Sequence, residues 1–264
     1  METSNDATVR ASGSDRVLVI MAKAPRPGAV KTRLGSGLSP EAAKDFYCCL
    51  LEDTLALAQS LDGVQVAIMC PDADVSELVQ LAGRQTSVVA QKGEGLAAGL
   101  TSVFAQFATD HQQEANQSAV EQRVIAFNSD SPHLPRSILQ HAFEVLTAHD
   151  VVVGPTYDGG YYLVGAKASH PTLFARDGMG TSTALERLLS RARALELSVA
   201  TVAPFYDIDV VEDLTRLAAE LRLAPTKAPR TAAWLKKWEL GAGDSQSNSH
   251  SSSRTTSRTG TGEL

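Results

Sequence analysis

Short apolar runs alternate along this chain with stretches of helical periodicity, and glycine, proline, aspartate or asparagine separates them. The runs fall at 17–21, 64–69, 87–90, 124–127, 150–155 and 198–202. Helical spacing marks 40–61, 75–82, a segment from the glycine-rich turn 93–100 to about 108, 136–148, 181–195, 211–221 and a short 231–238. Strands that alternate with helices in this way argue for an α/β fold with a mainly parallel sheet. The expected architecture is a single-domain, Rossmann-like three-layer sandwich. Such sheets bind ligands beyond the carboxyl ends of their strands.

The first strand runs directly into Ala22-Lys23-Ala24-Pro25-Arg26-Pro27-Gly28-Ala29-Val30-Lys31-Thr32-Arg33-Leu34. Pro25, Pro27 and Gly28 exclude a helix and make a shaped loop. Lys23, Arg26, Lys31 and Arg33 place four cations in eleven residues without an acid. A helix follows, with Ser39 as expected N-cap and Pro40 at its first position. Strand, basic loop and helix together are one way α/β proteins hold phosphate. Lys31 and Arg33 can neutralise phosphates, the arginine in bidentate fashion. The competing reading is a solvated basic loop. Gly-x-x-x-x-Gly-Lys-[Ser/Thr] is absent and Gly-x-Gly-x-x-Gly does not follow the first strand, which argues against a Walker-type ATPase and a dinucleotide-binding domain.

The chain has 264 residues and a net charge of −6. That balance argues against nucleic acid as a partner and leaves the positive charge local, suited to a small anion. Cys48, Cys49 and Cys70 lack metal-ligand spacing and read as reduced cysteines of a cytoplasmic protein. No run is long and apolar enough to span a membrane. Residues 1–15 read as a disordered leader and 16–240 as the folded domain. In 241–264, eleven of 24 residues are Ser or Thr, and this stretch reads as a disordered tail.

Acids stand at two strand ends. Asp130 follows the run 124–127 and is a hard oxygen donor suited to Mg²⁺ or Mn²⁺; the alternative is a cap on the turn at Ser131-Pro132. Asp207 and Asp209 share one face of an extended segment, so they repel unless a cation lies between them. Asp209 alternatively caps the helix 211–221. Asp158-Gly159-Gly160 is either a ligand-approaching turn or a plain hairpin turn. His133 reads as a loop histidine.

Taken in order, the basic loop, Asp130-Ser131-Pro132, Gly154-Pro155-x-x-Asp158-Gly159-Gly160-Tyr161-Tyr162-Leu163-x-Gly165 and Asp207-Ile208-Asp209-x-x-Glu212-Asp213-Leu214 resemble a bacterial glycosyltransferase-like family. It lies within the nucleotide-diphospho-sugar transferase (GT-A) superfamily, and the resemblance spans about 17–221. The run from Gly93 to Leu100 looks more like a stretch of the 2-phospho-L-lactate guanylyltransferases, relatives that also include the molybdenum cofactor guanylyltransferases. The resemblance implies a transferase with a nucleotide over Ala22, Lys23, Gly28, Lys31, Thr32, Arg33 and Gly95. It implies Mg²⁺ or Mn²⁺ on Asp130 with Asp207 or Asp209, and Asp130 and Lys31 as catalytic residues. A small acceptor or second substrate is expected near Asp158, Gly159, Gly160, Tyr161 and Thr181. Glycosyl transfer from a nucleotide-sugar is the first expectation, nucleotidyl transfer the second and a non-catalytic nucleotide-binding protein the third. A homodimer is compatible with all three.

Overall fold

A computed structural model describes residues 14–108, 121–174 and 182–249, with side chains through 240. Seven strands form one sheet: β1 (Arg16–Met21), β2 (Gln65–Cys70), β3 (Ser87–Ala90), β4 (Arg123–Asn128), β5 (Val151–Pro155), β6 (Tyr161–Ala166) and β7 (Val199–Thr201). Their order is β3-β2-β1-β4-β6-β5-β7. Strand β1 lies parallel to both β2 and β4, with Ile20 level with Ile68 and Phe127. The chain therefore leaves β1 in one direction and crosses to its other side for β4. That reversal opens a crevice at the carboxyl ends of β1 and β4.

Helices α1 (Pro40–Gln59), α2 (Val75–Ala82), α3 (Gly95–Phe107), α4 (Arg136–Val145), α5 (Ala184–Ala194), α6 (Val211–Leu223) and α7 (Pro229–Ser249) cover the sheet. Alternate strand residues point to opposite faces, so each strand feeds two cores. Leu18, Ile20, Ile68, Ile125 and Phe127 meet α1, α2, α4, α6 and α7 on one face. Val17, Val19, Met69, Val124 and Ala126 meet α3 and α5 on the other. Burial on both faces explains the near-continuous apolar runs of the parallel strands. The expected three-layer α/β sandwich is the fold observed.

Strand β6 is the departure from the simple alternation. It runs antiparallel between β4 and β5. The sequence marks the preceding turn but not the strand, because Gly-rich and aromatic residues obscure its pattern. Its geometry depends on two glycines. A Cβ on Gly159, at φ +91°, would meet the Ser182 carbonyl oxygen, and one on Gly154 would meet the Tyr162 ring at 2.5 Å. Tyr162 then fills the space above Gly154 and donates to the Ala203 carbonyl at 2.8 Å.

Ser39 caps α1, accepting from the Ala42 amide at 3.2 Å, as its sequence position predicts. At the other end of the chain, α7 begins earlier and runs further than the expected 231–238. Its first turn docks on α1, where the buried Asp53 carboxylate accepts from the Arg230 and Thr231 amides and the Thr231 hydroxyl. Trp234 packs 4.9 Å from Phe46. The helix continues to Ser249, into the stretch expected to be a tail. Ser14 and Asp15, expected in the leader, join the amino ends of the inner strands: the Ser14 hydroxyl donates to the Gly63 carbonyl and Asp15 pairs with Arg123. Residues 1–13 and 250–264, the rest of the leader and tail, lie outside the described residues. Among the described residues no helix is long and apolar enough to cross a membrane.

Candidate active site

A cleft of about 1250 Å³ opens at the carboxyl ends of β1, β2 and β4. Its walls come from the basic loop, the start of α3, the hairpin between β5 and β6, and the segment before α6. Ala22, Lys23, Lys31, Thr32, Arg33, Gly95, Asp130, Asp158, Gly160, Tyr161, Asp207 and Asp209 all line it. Gly28 and Gly159 shape adjoining turns at φ +72° and +91° and stand outside the lining. Thr181 lies outside the described residues.

The four loop cations divide into different jobs. Arg26 pairs with Asp74 at 2.7 Å and with Glu77 at 2.6 Å, so it ties the loop to α2. The Ala24 amide donates to the other Asp74 oxygen at 3.0 Å. Lys23 is exposed on the cleft wall, and its amide donates to the Tyr47 hydroxyl at 3.2 Å. Arg33 is 70% exposed and reaches Asp209 Oδ2 at 3.1 Å. The Lys31 side chain is only 5% exposed. Its Nζ lies 3.0 Å from Asp130 Oδ1 and 3.4 Å from Asp209 Oδ1, and donates to the Ile208 carbonyl. A solvated basic loop does not describe these contacts.

The acids form a floor under the loop. Asp130 makes the Lys31 ion pair rather than the turn cap open from sequence. Asp209 does not cap α6. That role falls to Asp213, whose carboxylate accepts from the Asp209 and Val210 amides at 3.0 and 2.9 Å. The Asp209 carboxylate is thereby left to Lys31 and Arg33. Burial, with Asp209 and Asp130 nearby, pushes the Asp207 carboxyl up to about 6. Burial opposes a charged Lys31, but Asp130 and Asp209 outweigh it and raise its pKa.

The segment carrying Asp207 and Asp209 is fixed from behind. Ser131 Oγ donates to the Tyr206 carbonyl at 3.1 Å. His133, read as a loop histidine, is 1% exposed and packs with ring centroids 4.8 Å from both Phe205 and Tyr206. Arg216 lies over the outer face of Tyr206, 3.6 Å from its centroid. Burial lowers the His133 pKa to about 4.

On the hairpin wall, Asp158 Oδ1 accepts from the Thr156 hydroxyl at 2.5 Å and the Gly160 amide at 3.2 Å. The Thr156 bond holds its pKa below the usual value. The plain hairpin turn is therefore real, and it also borders the cleft.

Sequence reading missed Tyr47, Gln91, Thr156 and Ser182, all of which line the cleft. Tyr47 falls on the buried stripe of α1 and looks like core. Its hydroxyl is the available signal, since a buried phenol needs partners; here they are the Lys23 amide and Ser129 Oγ. Gln91 donates to the Gly93 and Gly95 carbonyls and shapes the glycine-rich turn.

In donor chemistry the floor suits a hard divalent cation, because Asp130, Asp207 and Asp209 bring three carboxylates to the cleft. Among the described residues no three such side chains converge as a ready cage. The Lys31 ammonium stands between Asp130 and Asp209 instead.

This sheet order and crevice define the nucleotide-diphospho-sugar transferase (GT-A) fold. A protein from Desulfovibrio desulfuricans G20 assigned to those transferases matches with a TM-score of 0.74 and 26% identity, over 86% of this chain and 96% of that one. The family model described as "uncharacterized protein conserved in bacteria" (DUF2064) matches residues 54–181. Two more distant structures share the fold alone. The 4-diphosphocytidyl-2C-methyl-D-erythritol synthase of Anaerococcus prevotii matches at a TM-score of 0.52 and 11% identity, over 78% of this chain and 96% of its own. A nucleotidyl transferase from a Methanothermobacter species matches at 0.52 and 15%, over 79% and 99%. No curated protein sequence matches the chain.

Proposed function

We propose that this protein, an enzyme of the transferase class, transfers a glycosyl group from a nucleotide-sugar to a small acceptor with the help of Mg²⁺ or Mn²⁺. One observation carries the reading: a cleft at the strand-order reversal joins a cationic loop to a floor of three carboxylates. Lys23, Arg33 and the loop amides suit donor phosphates. Asp130, Asp207 and Asp209 suit the divalent ion, which would neutralise charge on a departing nucleoside diphosphate. Holding donor and acceptor together and stabilising leaving-group charge supply the catalysis. The hairpin wall, with Thr156, Asp158, Gly160 and Tyr161, suits the acceptor.

Nucleotidyl transfer is the second reading. Gly95, at φ +81°, opens α3 on the cleft within the run that resembles the guanylyltransferases. There a phosphate oxygen of the second substrate would attack the α-phosphorus and pyrophosphate would leave.

Thermal unfolding with nucleotide-sugars and nucleoside triphosphates, with and without Mn²⁺, tests both. A ligand at a hundredfold excess over its Kd adds about 2.7 kcal/mol to stability. A metal-dependent rise with a nucleotide-sugar supports glycosyl transfer, and a rise with a triphosphate alone supports nucleotidyl transfer. No rise with either removes both readings.

A further inference from the structure

We propose that Lys31 is the resident counter-cation of the carboxylate floor, and that a divalent ion enters by exchanging with its ammonium, which swings toward the donor phosphates. The inference rests on the function proposed above and adds to it a coupling between the metal and the nucleotide.

Three observations carry it. The Lys31 side chain is enclosed, and its Nζ touches Asp130, Asp209 and the Ile208 carbonyl at once. Asp207 adds its charge to the same ammonium. The position is held by unusual backbone. Lys31 sits at φ 49°, ψ 37°, in the left-handed region that L-residues rarely adopt. Finally, Lys31 borders the cleft as well as the floor, beside the exposed Thr32 and Arg33. A flexible four-carbon stem therefore needs only side-chain rotation to carry the ammonium from floor to cleft.

An ammonium and a divalent ion cannot both press against the Oδ1 atoms of Asp130 and Asp209, because like charges at that range repel. One displaces the other. Phosphates in the cleft give the displaced ammonium a new partner, so nucleotide favours metal and, by linkage, metal favours nucleotide by the same factor.

The first test titrates Mn²⁺ alone into the wild-type chain and into Lys31→Met, by calorimetry. With the competitor gone, Lys31→Met should bind Mn²⁺ roughly tenfold or more tightly than wild type. Equal or weaker binding overturns the proposal. If Lys31→Met does not fold, the wild-type chain answers through amine acetylation read by mass spectrometry during a Mn²⁺ titration. Lys31 labelling should rise roughly several-fold as the ammonium leaves the floor, while the already exposed Lys23 stays constant. No change at Lys31 across the titration overturns the proposal. The functional reading fails separately: it falls if no nucleotide or nucleotide-sugar stabilises the wild-type chain, whatever Mn²⁺ does to Lys31.

Discussion

The basic loop between β1 and α1 and the hairpin between β5 and β6 both line the cleft, and they are held in place by different physics. The loop is fastened by charge: Arg26 to Asp74 and Glu77, Lys31 to Asp130 and Asp209. The hairpin is fastened by fit: Gly159 against the Ser182 carbonyl and Gly154 against the Tyr162 ring. A wall fastened by charge can be loosened by an ion or a ligand that offers a better partner. A wall fastened by close packing keeps its shape until something clashes. Under the proposed function, a donor carrying phosphates and metal would meet the first kind of wall, and an acceptor needing fixed orientation the second.

The largest effect should come from Asp130→Asn. It removes the carboxylate nearest Lys31, and turnover should fall by about a hundred- to a thousandfold. Steady-state assays with the nucleotide-sugar found by thermal shift check this, and unchanged turnover would place the chemistry elsewhere. It also separates enzyme from non-catalytic nucleotide-binding protein, since the latter would lose little binding.

Next is Gly159→Ala, which attacks the packed wall alone. A Cβ there would lie 1.8 Å from the Ser182 oxygen at a φ of +91°. Stability should drop by about 3 kcal/mol, read from urea midpoints. A neutral result would mean that the hairpin yields more easily than its packing implies.

The His133 cluster supports the acids from behind, and it gives the protein an acid-labile point. Folded His133 is held neutral, with its pKa lowered to about 4 by burial. Glu220 lies at 3.9 Å, with Lys227 and Arg216 opposing its pull. An unfolded histidine titrates near 6.5. Above about pH 6.5 both states are neutral and stability is full. Between about 6.5 and 4 only the unfolded chain takes up the proton, so stability falls as pH falls, by on the order of 3 kcal/mol. Urea melts at neutral and acid pH should show the loss for wild type, and a smaller one for His133→Phe.

The smallest effect sharpens the charged wall. Asp74→Ala leaves the Ala24 amide without its acceptor and should cost about 2 kcal/mol. Glu77→Ala breaks only an exposed pair and should cost far less. Equal costs in thermal melts would mean that the loop is held by net charge rather than by the buried bond.

Much of this was legible in the order of residues. Apolar runs with helical stretches between them foretell a parallel sheet, because strands covered on both faces carry little alternation. The basic loop and the acids at strand ends mark the cleft, since local chemistry at a turn survives in sequence. What escapes is decided by partners far along the chain. Nothing near Lys31 shows that its ammonium meets Asp209, nor that Asp213 takes the capping role and frees that carboxylate. Likewise, β6 fits between β4 and β5 with Tyr162 over Gly154 and with Gly165 against Ile125 and Val152, a fit that no periodicity records.

The bond from Asp53 to the first turn of α7 has a consequence in time. Its partners lie 177 and 178 residues apart. A ribosome has to release nearly the whole domain before the α1 carboxylate meets its donors and Phe46 meets Trp234. Until then the nascent chain carries a charged group and an aromatic surface that the finished protein covers. The contacts between α1 and α7 can therefore form only once α7 has left the ribosome.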